Sequence, residues 1–240
     1  GDTTVGSYPG LCGTAIGFEA SATDNCYAAT VYCHPPSGSF IPVGVKTVTC
    51  LAVDIAGNTD STQFTITVED TEPPELLLPE DITALNDPGQ CGALVSYEVD
   101  VTDNCSGATM ACSPVSGYYF EVGITSVTCI GLDTQGNADT GIFLITVVDT
   151  TPPVINCPSD MHVANFPDQC GAPVDFNIEA ADNCSDVTVT TFPESGSFFE
   201  KGETPVKILA VDDAGNKDSC EFIISVHDYE PPQAICPEDM

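Results

Sequence analysis

The segment Asp133-Thr134-Gln135-Gly136-Asn137 has a counterpart on each side, Asp54 to Asn58 and Asp212 to Asn216, at a spacing of 79 residues both times. Other marks keep the same step. Asp24-Asn25-Cys26 returns as Asp103-Asn104-Cys105 and Asp182-Asn183-Cys184; Ser37-Gly38 returns at Ser116-Gly117 and Ser195-Gly196; Pro73-Pro74 returns at Pro152-Pro153 and Pro231-Pro232. A fixed period of this length means one module placed in tandem, and it decides the architecture ahead of any local reading. The expected units are a first repeat over 1–72 with a shortened start, a second over 73–151, a third over 152–230, and the opening of a fourth over 231–240. The chain is therefore expected to be a window from a longer array.

Within a repeat the apolar residues alternate. Ile16, Phe18 and Ala20 are matched by Val95, Tyr97, Val99 and by Val174, Phe176, Ile178, the pattern of a half-buried strand. A Ser-Gly loop follows, then an aromatic position (Phe40, Tyr119, Phe198) and a glycine (Gly44, Gly123, Gly202). The next strand, Lys46 to Val53, runs into the Asp-x-x-Gly-Asn loop. The strongest strand comes last: Phe64, Ile66, Val68, repeated as Phe143, Ile145, Val147 and Phe222, Ile224, Val226. Short strands punctuated by turn residues, with no helical period, predict an all-β fold of tandem immunoglobulin-like β-sandwich domains.

Charge then limits the partners. The chain carries 36 acidic residues against four lysines and no arginine, a formal net charge of -32. Such a chain is repelled by nucleic acid and by anionic membranes, and no apolar run approaches a membrane span, so neither nucleic-acid binding nor membrane insertion is expected. Hydrophobic residues at 42% exclude disorder. Thirteen cysteines on a repeating frame point to disulfides and an extracellular or cell-surface location. Zinc does not fit, because there is no Cys-x-x-Cys pair and His34, His162 and His227 occupy three different phases of the repeat. The same scatter argues against a catalytic triad, and no nucleophile elbow is present, so no enzyme is expected.

The Asp-Thr-x-Pro-Pro entry (Asp70 to Pro74, Asp149 to Pro153), Asp-Asn-Cys, Ser-Gly-x-aromatic, the Asp-x-x-Gly-Asn loop and the closing Phe-x-Ile-x-Val strand together resemble the hyalin repeat (HYR) family over the whole chain. The resemblance implies an immunoglobulin-like sandwich of the kind used in extracellular matrix, adhesion and large modular surface proteins, without enzymatic activity.

The cysteines change between repeats in pairs. Cys33 and Cys50 have counterparts at Cys112 and Cys129, and the third repeat loses both, with Thr191 and Ile208 in their place. It gains Cys157 and Cys220 where the second has Leu78 and Gly141. Cys12 and Cys26, Cys91 and Cys105, Cys170 and Cys184 occur throughout. Shared presence and absence predict the bonds 33–50, 112–129 and 157–220, and also 12–26, 91–105 and 170–184. The last three sit in tension with geometry. A straight seven-residue strand between such partners would span roughly 23 Å, against about 5.5 Å between bonded Cα atoms. Cys236, in phase with Cys157, is expected to bond a counterpart of Cys220 in a fourth repeat.

Two further sites are predicted. In an immunoglobulin-like sandwich the loop before the last strand and the loop after the second strand share the end at which the preceding linker arrives. Asp182 and Asp212 should then meet Asp149, and Asp103 and Asp133 should meet Glu69 and Asp70. Converging hard oxygen ligands suit calcium. Asn104 and Asn183 begin Asn-x-Ser glycosylation motifs in a turn expected to be reachable. The predicted function is a non-catalytic extracellular structural and adhesive array, a rod or filament-like spacer stiffened by calcium. Its partners are neighbouring repeats or copies of itself, and other extracellular matrix or surface proteins. The alternative is a carbohydrate- or receptor-binding module, which the absence of Trp and the core-facing aromatics disfavour.

Overall fold

The computed structural model describes residues 1–234, so Cys236 lies outside the described residues. Every regular element among them is a strand. The first repeat contributes β1 (Thr3–Gly6), β2 (Gly13–Ala15), β3 (Thr30–His34), β4 (Phe40–Pro42), β5 (Gly44–Val53) and β6 (Thr59–Glu69). Four of these form a sheet in the order β1-β6-β5-β3, with β1 parallel to β6 and the other pairs antiparallel; β2 and β4 pair separately.

The second repeat adds β7 (Glu75–Leu77), β8 (Ile82–Leu85), β9 (Gly92–Val95), β10 (Asp100–Thr102), β11 (Thr109–Ser113), β12 (Tyr118–Glu121), β13 (Gly123–Leu132) and β14 (Ala138–Val148). The third adds β15 (Val154–Asn156), β16 (Met161–Ala164), β17 (Gly171–Pro173), β18 (Glu179–Ala181), β19 (Val187–Phe192), β20 (Phe198–Glu200), β21 (Gly202–Asp212) and β22 (Lys217–His227). The strand order of the first repeat returns twice, as β8-β14-β13-β11 with β9-β12 and as β16-β22-β21-β19 with β17-β20. The antiparallel pairs β7-β10 and β15-β18 are additional.

The closing strand behaves as its alternation requires. Phe222, Ile224 and Val226 are buried, and they join Val206, Ile208, Val174, Ala172 and Phe199 in one apolar cluster. In the first repeat Ile66 and Val68 join Val48, Ile41 and Cys50, with Phe18 and Phe64 packed at the margin. The phased aromatics meet edge to face: Phe18 with Phe64 at 5.2 Å, Tyr97 with Phe143 at 5.0 Å and Phe176 with Phe222 at 5.2 Å between ring centres. They serve the interior of the sandwich.

The alternation around Phe18 does not make one continuous strand. Ala15, Val95 and Pro173 end β2, β9 and β17, and the extended chain beyond them bonds to the Ser-Gly loop instead of to a ladder. The Phe18 N–H donates to Ser37 Oγ at 2.8 Å, and the Gly38 N–H to the Ile16 carbonyl at 2.9 Å. Tyr97 and Phe176 repeat the contact with Ser116 and Ser195 at 2.9 and 2.8 Å. A serine hydroxyl thus completes the hydrogen bonding that a strand partner would supply.

By packing the chain divides into two compact units, one of residues 1–82, 96–118 and 126–144, the other of residues 83–95, 119–125 and those from Ile145 onward. The surroundings of Asp70 fall in the first, those of Asp149 in the second.

Candidate functional site

The linker entry, the Asp-Asn-Cys turn and the Asp-x-x-Gly-Asn loop meet in each unit. The loop is self-contained. Asp133 Oδ1 accepts from the Gln135 and Asn137 N–H groups, both at 2.8 Å, and Oδ2 accepts from the Asn137 side-chain amide at 2.7 Å. Gly136 supplies the positive φ of 92° that closes the turn. Burial alone would raise the Asp133 carboxyl; the hydrogen bonds from Asn137, Gln135 and Gly136 outweigh it and hold the group below its ordinary value. The remaining reach of Asn137 goes to the linker, where its amide donates to the Asp70 carbonyl at 3.0 Å. Asn216 repeats the arrangement, bonding Asp212 at 2.9 Å and the carbonyls of Asp149 and Thr151 at 3.3 Å.

The carboxylates of Asp70 and Asp103 do come together. Asp70 is 5% exposed. Its Oδ1 accepts from Ser7 Oγ, the Glu72 N–H and Asn104 Nδ2, each at 3.2 Å. Asp103 Oδ2 accepts from the Cys105 N–H at 3.0 Å. One carboxylate oxygen of each aspartate and the Cys105 sulfur lie within 4.8 Å of one another. Asp70 Oδ2, Asp103 Oδ1 and Asn104 Oδ1 are all buried with no hydrogen-bond partner. In the second unit Asp149 (4% exposed) and Asp182 converge with Cys184 in the same way, again leaving Asp149 Oδ2 and Asp182 Oδ2 buried and unpartnered.

Of the six aspartates expected to converge on calcium, Asp70 with Asp103 and Asp149 with Asp182 are brought together, while Asp133 and Asp212 are not. These two bond their own loops and orient Asn137 and Asn216. Sequence reasoning missed the asparagines' role and that of Asn86. The side chain of Asn86 accepts from the Thr150 N–H and hydroxyl at 3.0 Å and donates to the Gln90 carbonyl at 3.0 Å and Thr151 Oγ1 at 2.8 Å. Only the 79-residue phase it shares with Ser7 and Asn165 could have signalled this; Asn165 likewise donates to the Gln169 carbonyl at 3.1 Å and accepts from the Tyr229 N–H at 3.2 Å.

The cysteines correct one expectation. Cys33–Cys50, Cys112–Cys129 and Cys157–Cys220 are bonded as predicted. Cys12, however, bonds Cys105 of the following repeat, 93 residues away, not Cys26; neither the 91–105 nor the 170–184 bond forms. The reason is length. Cys91 and Cys105 are separated by β9, an extended stretch and β10, about ten extended residues at ~3.3 Å each, which puts them at opposite ends of the repeat. The glycine after the first cysteine of each repeat also has a cause. A Cβ on Gly13 would stand 2.5 Å from the Phe40 ring and from the Ile41 carbonyl, and Gly92 and Gly171 are covered likewise by Tyr119 and Phe198.

The Asn104 amide, expected to be reachable, is occupied. It donates to the Leu11 carbonyl as well as to Asp70, both at 3.2 Å. Asn183 is exposed, with its amide on the Gln90 carbonyl at 3.0 Å.

Fold and site define a class: tandem all-β sandwich modules that bring paired carboxylates to each linker. The HYR domain model matches residues 10–68, 69–147 and 148–226. The chain belongs to the HYR domain family. It is 33% identical over 233 residues to hyalin of Strongylocentrotus purpuratus, covering 91% of this chain and 19% of that protein. It is 34% identical over 229 residues to hyalin of Lytechinus variegatus, covering 90% of this chain and 43% of that one. A rat protein named for its sushi, von Willebrand factor type A, EGF and pentraxin domains is 32% identical over 194 residues, 78% of this chain and 5% of its own. The chain thus spans less than half the length of these relatives. Solved structures of the protocadherin gamma B2 extracellular domains 1–5 and of titin domains I67–I69 align over 96% and 94% of the chain, and over 59% and 95% of their own length. They do so at 14% and 10% identity, with TM-scores of 0.41 and 0.42.

Proposed function

We propose that the chain is a non-catalytic extracellular structural and adhesive array whose repeat junctions bind calcium. The single observation behind the calcium is the pair of buried, unpartnered carboxylate oxygens at each junction, Asp70 with Asp103 and Asp149 with Asp182. Two like charges held within 4.8 Å and withdrawn from water repel each other and lose hydration. No lysine offsets them: the one ion pair among the described residues is Lys201 with Asp228, elsewhere. A hard divalent cation would turn the repulsion into attraction, and the carboxylates, the Asn104 side-chain oxygen and water are the ligands calcium takes. Resemblance to the hyalins and the bonded cysteines support the extracellular setting. A cation shared between a linker and the repeat after it would stiffen the array as a spacer, with neighbouring repeats, copies of itself and other matrix or surface proteins as partners.

The test is a crossed one. Asp182→Asn removes one charge from the second pair. In chelator the variant should melt higher than the parent, because the repulsion is relieved; in millimolar calcium it should melt lower, and calorimetry should register one calcium site fewer. A parent whose melting point and small-angle scattering are unchanged by calcium has no such sites.

A further inference from the structure

Cys91 and Cys184 are 93 residues apart, the same separation as the bonded pair Cys12 and Cys105. Both stand as thiols here, and after burial it is the nearness of Cys91 that holds the Cys184 thiol above its ordinary value. We infer that Cys91 and Cys184 form a disulfide between the second and third repeats, so that one inter-repeat bond recurs at each junction.

The surroundings are the same at the two places. Cys12 and Cys91 each precede a glycine roofed by an aromatic ring, and the carbonyl of each accepts from a backbone N–H 31 residues on, Val43 and Val122, at 3.2 Å. The opposite cysteine is held just as closely. The N–H of Cys105 donates to Asp103 at 3.0 Å, and that of Cys184 to Asp182 at 2.9 Å. The asparagine between them reaches across to the residue before the first cysteine: Asn104 to the Leu11 carbonyl at 3.2 Å, Asn183 to the Gln90 carbonyl at 3.0 Å. Cys184 Sγ itself lies 3.7 Å from that Gln90 oxygen. The backbone frame that holds a bond at one junction is therefore assembled at the other, with the two sulfurs already neighbours.

Bond formation needs an oxidant, and a small-molecule disulfide such as oxidised glutathione suffices. One thiolate of the pair attacks a sulfur of the donor and expels a thiolate, leaving a mixed disulfide. The second thiolate then attacks the bound sulfur and expels the other half of the donor. Two protons and two electrons leave the protein, and the donor becomes two thiols. The result goes beyond cation binding: each linker is bridged by a covalent bond that survives chelation.

The experiment uses the whole chain produced in an oxidising compartment, denatured with N-ethylmaleimide and no reductant, then digested and read by mass spectrometry. A peptide pair joining Cys91 to Cys184, present with or without chelator and lost on reduction, is the expected result. Maleimide on both cysteines, or bonds 91–105 and 170–184, would overturn it. A metal held by the two thiols counts against it too, since denaturation would leave both alkylated. Cys91→Ser provides the check: Cys184 should become alkylated while the Cys12–Cys105 peptide persists. If the variant fails to fold, the parent's peptide map alone decides.

Discussion

The side-chain amide of Asn137 donates to the backbone carbonyl of Asp70 at 3.0 Å, across 67 residues of sequence. The same amide bonds Asp133, so one side chain ties a loop to the linker that enters the repeat. Asn216 does this for Asp149. Losing such a bridge leaves a buried polar environment short of its donor, a cost of about 1–3 kcal/mol. Asn216→Ala should therefore lower the melting point by several degrees and weaken calcium binding in the same unit. Asn58→Ala, at a loop where the amide holds Asp54, should cost less. Equal losses in thermal melts of the two variants would show that the linker contact contributes nothing.

Leu78 and Gly141 occupy the places taken by Cys157 and Cys220 in the third repeat, where the bonded Cα atoms are 6.2 Å apart. A Cβ on Gly141 would stand 2.4 Å from Leu78 Cδ1, so the leucine fills the space that the bridge fills one repeat later. Gly141→Ala should destabilise through this overlap. Leu78→Cys with Gly141→Cys should instead bond. Closing a loop of that length is worth about 4 kcal/mol in the chain-entropy model, set against roughly 1–3 kcal/mol for the lost leucine burial. The double variant should melt higher than the parent without reductant and lower with it. A double variant indifferent to reductant has formed no bond.

The period and the closing strand could be read from sequence because both are local: Phe222, Ile224 and Val226 alternate in plain view, and all three are buried. The pairings 33–50 and 157–220 were legible because the partners are lost or gained together. The bond from Cys12 to Cys105 was not. Every repeat carries both cysteines, so shared presence cannot tell a bond within one repeat from a bond to the next, and only strand length speaks against the nearer partner. Position within the fold brought Asp70 and Asp103 together, yet the sequence could not separate them from Asp133. All three stand in turn motifs, and what differs is whether local N–H groups occupy both carboxylate oxygens.

Asn104 and Asn183 share a glycosylation motif but differ in access. Asn104 Oδ1 is buried and its amide is divided between Leu11 and Asp70, whereas Asn183 is exposed. A glycan needs that amide nitrogen released and directed outward, which for Asn183 breaks only exposed contacts, with the Gln90 carbonyl and the Cys184 sulfur. Asn104 should therefore be unmodified in secreted material and Asn183 the more occupied of the two. Glycopeptide mass spectrometry gives both occupancies directly, and a higher value at Asn104 would contradict the packing described around it.

Asp54 supports a prediction about acid. Its carboxyl lies below the ordinary value of 3.8, first because the Asn58 side chain donates to Oδ2 at 2.7 Å and then because the Asn58 N–H donates to Oδ1 at 2.8 Å. A group whose pKa is lower in the folded chain than in the unfolded one binds its proton more readily after unfolding, so it stabilises the fold above the unfolded value and stops doing so as pH falls through the folded one. The contribution is thus complete above about pH 4 and disappears in stronger acid. Asn58→Ala removes the main cause of the shift. Urea midpoints in chelator should show parent and variant separated at pH 6 and converging as the pH is lowered below 3. A gap of the same size at every pH would mean that Asn58 supports the loop without acting through the Asp54 carboxylate.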